Sequence, residues 1–334
     1  MRSCICRHVT RATARFDRVA LGVLVLIAGL IAPSVVRAQP PTGAATALTD
    51  GSFERNGVRL HYRTQGAGAP LVLLSGGPGF AVDFLFPLGE LFPKTHRLIY
   101  LEQRGTGRSV VAAPSRSTVN MNEAIDDLEG LRRHLQVERL LLAGHSYGGM
   151  LAMAYAAKYP TRVERLLLIA SGGPTLRMGT WFGANIRARL RYEEREEQKY
   201  WEGEMAAGRV SKQTGANKVQ AVATPTYFFD RDKGLAFVRS AGPEPLNVLT
   251  NELIQQDFEK YDVREGLARL TAPVLVVHGH QDPIGDLTAE EIRSSIKDVT
   301  VEYLNECGHF PWLEQPEALR KVVATFLARG STGR

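Results

Sequence analysis

Gly144-His145-Ser146-Tyr147-Gly148 stands between an apolar run, residues 140–143, and a helix-like segment, residues 150–159. Leu140-Leu141-Leu142-Ala143 reads as a fully buried strand, and residues 150–157 as a buried helix. A serine between the two needs a very sharp strand-to-helix turn, whose strained backbone lifts the hydroxyl out at the end of a sheet. Small residues must flank such a turn, and Gly144, Gly148 and Gly149 meet that demand. Glycine and serine are common, so the pentapeptide alone says little. The strand before it and the helix after it make Ser146 the candidate nucleophile.

Outward from this point the same alternation continues. An alternating segment, 53–62, is broken by Asn56-Gly57 and reads as a β-hairpin. Residues 70–75 and 97–102 read as buried strands, and 123–135 as the helix ahead of the Ser146 strand. Residues 165–170, 273–278 and 299–304 are further strands, and 316–327 a closing helix. Strands alternating with helices predict an α/β fold with a mostly parallel sheet covered on both faces. Residues 175–265 carry no buried-strand signal and are rich in charge and aromatics, including Trp181, Tyr192, Tyr200, Trp201, Tyr227 and Phe228. They read as a helical lid inserted into a core of 52–174 and 266–330. The mixed charges of 191–197 mark a solvated helix face rather than an acidic site.

The first 38 residues have the pattern of an export signal. Arg2, Arg7, Arg11, Arg15 and Arg18 precede the apolar run 19–32, and Val36-Arg37-Ala38 predicts cleavage after Ala38. The apolar run is about 14 residues, short of the ~20 that span a bilayer, so a retained membrane anchor is disfavoured and the expected location is secreted or periplasmic. Residues 39–51 read as a linker. The signal holds six of the 41 basic and one of the 35 acidic residues, so the remaining chain is nearly neutral. Without a basic cluster, nucleic acid is not an expected partner. Cys4 and Cys6 leave with the signal, and Cys307, left alone, reads as a small buried hydrophobe and forms no internal disulfide.

Serine needs a base to remove its proton and a third group to orient that base. His309 follows the last apolar strand, in Glu306-Cys307-Gly308-His309-Phe310-Pro311, and Asp282 follows strand 273–278 through Gly279-His280-Gln281. Both stand at carboxyl ends of strands, where crevices of open α/β sheets lie. Asp286 and Asp262 are the alternatives for the acid. His278, His280, His145, His61, His96 and His134 are the rival histidines, each read as structural or solvent-facing. The oxyanion of acyl transfer is usually held by paired backbone N–H groups. Ser75-Gly76-Gly77-Pro78-Gly79 follows a strand, and the N–H groups of Gly77 and Tyr147 are the expected pair. Nothing implies a cofactor or a metal: the glycine loop lacks the Lys-Ser/Thr of a nucleotide loop, and neither H-E-x-x-H nor a cysteine cluster is present.

Ser75-Gly76-Gly77-Pro78-Gly79, Glu102-Gln103-Arg104-Gly105-Thr106-Gly107-Arg108-Ser109, Gly144-His145-Ser146-Tyr147-Gly148-Gly149 and Gly308-His309 together resemble the proline iminopeptidase family of α/β-hydrolases, over residues 52–330. The order Ser146, Asp282, His309 is the one that fold requires. The resemblance implies an eight-stranded, mostly parallel sheet with an inserted lid. It also implies release of an amino-terminal residue from short peptides, with lid carboxylates holding the free ammonium. Ser75 replaces the family's usual His, and Glu102 its usual Asp. Pro283 stands where some members carry a glutamate after the catalytic acid. The second ammonium-binding glutamate is matched by Glu252 in Asn251-Glu252. The expectation is thus an exported aminopeptidase acting through an acyl-enzyme on a short-peptide or small-molecule substrate. A carboxylesterase, or a carbon–carbon bond hydrolase of the same fold, is the alternative. Two carboxylates facing the space above Ser146 would favour the peptidase, and an apolar lid floor the esterase.

Overall fold

The strands β1 (Thr49–Arg55), β2 (Val58–Gln65), β3 (Ala69–Leu74), β4 (His96–Leu101), β5 (Leu140–His145), β6 (Val163–Ile169), β7 (Val274–Gly279) and β8 (Val299–Leu304) form one sheet in the order β1-β2-β4-β3-β5-β6-β7-β8. β1 with β2 and β2 with β4 are antiparallel, and every later pairing is parallel. This computed structural model describes residues 47–242 and 245–329; the expected signal, 1–38, and most of the expected linker lie outside them. The linker was read as running to residue 51, but β1 begins at Thr49, because Thr49 and Gly51 pair with Thr64 and Tyr62. The hairpin turn is the expected Asn56-Gly57, both residues at positive φ (47° and 74°).

Helices cover both faces. Helix α1 (Met121–His134) and helix α2 (Tyr147–Lys158) pack on one side with Leu140, Leu142, Val72 and Leu74. The intervening residues Leu141, Ala143, Leu71 and Leu73 belong to the opposite core. The side-chain period of two in an extended strand sends alternate residues to opposite faces, so a strand covered on both reads as a continuous apolar run. After β6 come α3 (Gly179–Arg189), α4 (Tyr192–Ala206), α5 (Lys212–Ala223), α6 (Arg231–Ser240) and α7 (Val248–Gln255). This excursion starts and ends at one place: Thr175 bridges Asp262, and Val263 N–H donates to Pro174 O at 3.0 Å. α4 carries the charged run and buries none of its residues. α8 (Asp286–Ser295) and α9 (Pro316–Ala328) complete the layers. Among the described residues no helix is long and apolar enough to cross a membrane.

Glu102, Gln103, Arg104, Thr106 and Ser109 are buried, and Arg104 reaches α1. Arg104, with its side chain 1% exposed, forms a bidentate pair with Asp127, Nε to Oδ2 and Nη2 to Oδ1 both at 2.6 Å. A bidentate guanidinium–carboxylate pair fixes orientation as well as charge. Arg104→Met should therefore destabilise the fold by about 3 kcal/mol, the low end for breaking a buried pair, since Arg55 still stands 3.4 Å from Asp127. A lower urea midpoint at unchanged denaturant slope would confirm it, and an unchanged midpoint would refute it.

Candidate active site

Ser146 sits between β5 and α2 at φ 55° and ψ −120°, a conformation that L residues rarely adopt. The turn is held from several sides. Ser146 N–H donates to Ile169 O at 3.2 Å, and Ser146 O accepts from Gly149 N–H at 3.0 Å and Gly172 N–H at 3.2 Å. Each flanking glycine is forced by close approach. A Cβ on Gly144 would lie 2.3 Å from Gly148 O, and one on Gly148 2.3 Å from Leu74 O. Tyr147 is the first residue of α2, so its N–H has no intrahelical acceptor.

Asp282 and His309 are brought together from two loops zipped to each other. His280 N–H donates to Leu304 O at 3.0 Å, Gln281 N–H to Cys307 O at 2.9 Å, and Cys307 N–H returns to Gln281 Oε1 at 3.0 Å. His309 Nδ1 then lies 2.8 Å from Asp282 Oδ2, with both side chains buried. Ile284 N–H donates to Asp282 Oδ1 at 2.9 Å. Burial raises the Asp282 carboxyl, but the charge and hydrogen bond of His309, then His278 and the Ile284 N–H, more than offset it and leave it below its ordinary value. An ionised carboxylate only accepts, so Nδ1 carries the proton and Nε2 is left for another partner.

Ser146, His309, Gly76, Gly77 and Tyr147 all line one cavity of about 1050 Å³. Gly77 has φ +121°, and a Cβ there would come 2.8 Å from Gly79 N. The loop is propped by Gln103, whose Nε2 donates to Ser75 O and Oγ at 3.0 Å, while Ser75 Oγ donates to Phe80 O at 3.0 Å. Gln103 belongs to the sequence motif, but its support of this loop was not read from it. Ser75, where the resembled family has His, fills this bracing place.

The rival residues are engaged elsewhere. His145 also lines the cavity, yet its Nε2 is 2.9 Å from His309 O, and burial pushes its imidazole well below the ordinary value, so it stays neutral. Asp286 faces His280 at 2.9 Å and His278 at 3.4 Å, and Asp262 pairs with Arg264. None of His61, His96 and His134 lines the cavity. Cys307 is buried and its thiol is pushed far up by that burial, as suits packing.

The expectation for Glu252 needs correction. Glu252 is not among the cavity-lining residues; its carboxylate pairs with Lys212 at 2.5 Å. Helical geometry is the reason, because residues i and i+4 share a face. Asn251 and Gln255 of α7 face the cavity, and Glu252 is turned away. Among the described residues, the lid contributes no carboxylate to the lining. Its described residues present amides (Asn217, Gln220, Asn251, Gln255), apolar groups such as Phe182, Phe237 and Phe258, and the cation Lys233. Among the described residues the lining carboxylate is Asp83, outside the lid, and Arg63 holds it at 2.9 Å.

The alpha/beta hydrolase fold family profile matches residues 69–316. A proline iminopeptidase of Thermoplasma volcanium is 23% identical over 297 residues, 84% of this chain and 97% of the relative. One from Saccharolobus solfataricus is 26% identical over 281 residues, 80% of this chain and 87% of the relative. Among solved structures, VinJ superposes with a TM-score of 0.66 at 21% identity, over 84% of this chain and 98% of that one. A Mycobacterium smegmatis proline iminopeptidase gives 0.60 at 22%, over 84% and 97%. These two likenesses carry the fold. With the family profile spanning most of the sheet and the lid between, the chain belongs to the α/β-hydrolase fold family and is proline iminopeptidase-like within it.

Proposed function

We propose that the protein is a serine hydrolase working through an acyl-enzyme. Ser146 Oγ attacks the substrate carbonyl carbon while His309 Nε2 takes its proton, and the N–H groups of Gly77 and Tyr147 hold the oxyanion. His309 then gives the proton to the leaving group as the bond to it breaks. Water deacylates Ser146 by the same route, and Asp282 keeps the imidazole oriented throughout. The observation that carries this reading is the buried 2.8 Å Asp282–His309 pair on the same cavity as a serine at positive φ.

For the substrate, the lining favours an uncharged acyl group with substantial apolar bulk. Among the described residues the lid offers amides and aromatic rings, and the charge it presents there, Lys233, would repel an ammonium. The aminopeptidase reading is supported by the full-length proline iminopeptidase relatives. On that reading, among the described residues, Asp83 and amide oxygens rather than Glu252 would seat the ammonium. Acyl nitrophenyl esters of increasing chain length, set beside prolyl and alanyl arylamides, separate the two. The expected result is ester turnover rising with acyl length and exceeding that of the free-amine arylamides. Arylamide preference lost on N-acetylation would overturn the substrate reading in favour of the aminopeptidase.

A further inference from the structure

Glu314 is a buried carboxylate that the reaction above does not use. It ends the short helix Pro311–Glu314, five residues after His309, and is 7% exposed. Both of its oxygens are occupied by backbone donors from two separate elements. Gly308 N–H donates to Oε2 at 2.7 Å, and Asp230 N–H donates to Oε1 at 2.8 Å, with Phe229 N–H directed to the same carboxylate. The first donor precedes His309; the others lie in the lid.

The same lid segment grips the histidine directly. His309 N–H donates to Tyr227 O at 2.7 Å, Phe228 stacks on Phe310 at 4.6 Å, and a Cβ on Gly308 would come 2.1 Å from Tyr227 O. Among the described residues no cation pairs with Glu314: Lys233 acts on it from a distance, its Nζ donating to Leu313 O. A carboxylate buried without a partner cation is costly, and its compensation here is the set of N–H groups that would otherwise be orphaned at this junction.

We propose that Glu314 is a positioning residue: it locks lid residues 227–230 to the Gly308–His309 backbone, so that the seating of the lid sets the imidazole over Ser146. The proposal rests on the reading of Ser146 and His309 given above. Glu314→Gln keeps the size but turns one acceptor into a donor facing an N–H. Glu314→Asp keeps the charge but is too short to reach both elements.

The experiment counts active sites with a fluorophosphonate that labels the reactive serine, then measures ester turnover per labelled site across acyl lengths. Both variants should lose at least about tenfold in kcat per site with KM little changed, because displacement of a reacting group by less than an ångström is costly. The loss should be equal for acetyl and long-acyl esters, since the base rather than the acyl seat has moved. Fewer labelled sites with unchanged kcat per site would overturn the proposal and leave Glu314 a merely structural residue. Labelling of the wild type that persists in Ser146→Ala would instead overturn the reading it rests on.

Discussion

Ser146→Ala should lower kcat for the best ester by about 10⁵-fold or more, with KM and thermal stability close to those of the wild type. The size follows from the reaction order: without Oγ no acyl-enzyme forms, and what remains is water attack assisted by the oxyanion donors. Stability should hold because alanine needs no more room than serine. Relief of the φ 55° strain is not expected, since the neighbours that impose it remain. Burst kinetics on a nitrophenyl ester would vanish along with turnover. Residual activity within tenfold of wild type would mean that another group does the chemistry.

Asp282→Asn is the second large effect, with kcat expected to fall about 10⁴-fold. The asparagine fits, and its Oδ1 still accepts from Ile284 N–H. If that oxygen stays on Ile284, the Nδ2 faces His309 Nδ1 and makes Nδ1 the acceptor, which moves the imidazole proton to Nε2 and removes the base. An intact fold with this loss separates orientation of the histidine from simple packing. Stability against pH gives a second readout. The Asp282 carboxyl is held below its ordinary value, so it contributes stability above the ordinary carboxyl range and loses it as pH falls through the lowered value. Melting temperatures should drop less steeply below about pH 4 in Asp282→Asn than in the wild type. Parallel acid limbs would remove Asp282 from that account.

Much of the sheet and the residues gathered at the cavity were legible because local pattern determines them. The run 140–143 had to be buried on both faces, and three glycines around Ser146 reported approaches so close that an added Cβ would lie 2.1–2.3 Å from a neighbouring atom. His309 and Asp282 were found from their places after strands. The lid was legible only as helical. α4 buries nothing and α3 has no buried residue, so no apolar stripe in these two helices told which side faces the cavity. Glu252 was misplaced although α7 buries Val248, Leu253 and Ile254: family spacing gave its position along the helix, not its angle around it. Glu314 was missed because its partners Phe229 and Asp230 are backbone groups far away in the chain, and backbone donors leave no mark in a sequence.

The pinned neck at Thr175 and Asp262 gives the lid a separate evolutionary life. Since the chain leaves and rejoins the sheet through adjacent strands, lengthening or replacing the excursion costs the core little, about 0.6 kcal/mol of closure entropy per doubling. A foreign lid could be transplanted at these two joints. Its graft would be silent, however, unless it supplied an amide at Asn251 to hold Pro78 O and free N–H groups at 229 and 230 for Glu314. Those attachments, rather than the cavity wall, set which lids this sheet can wear.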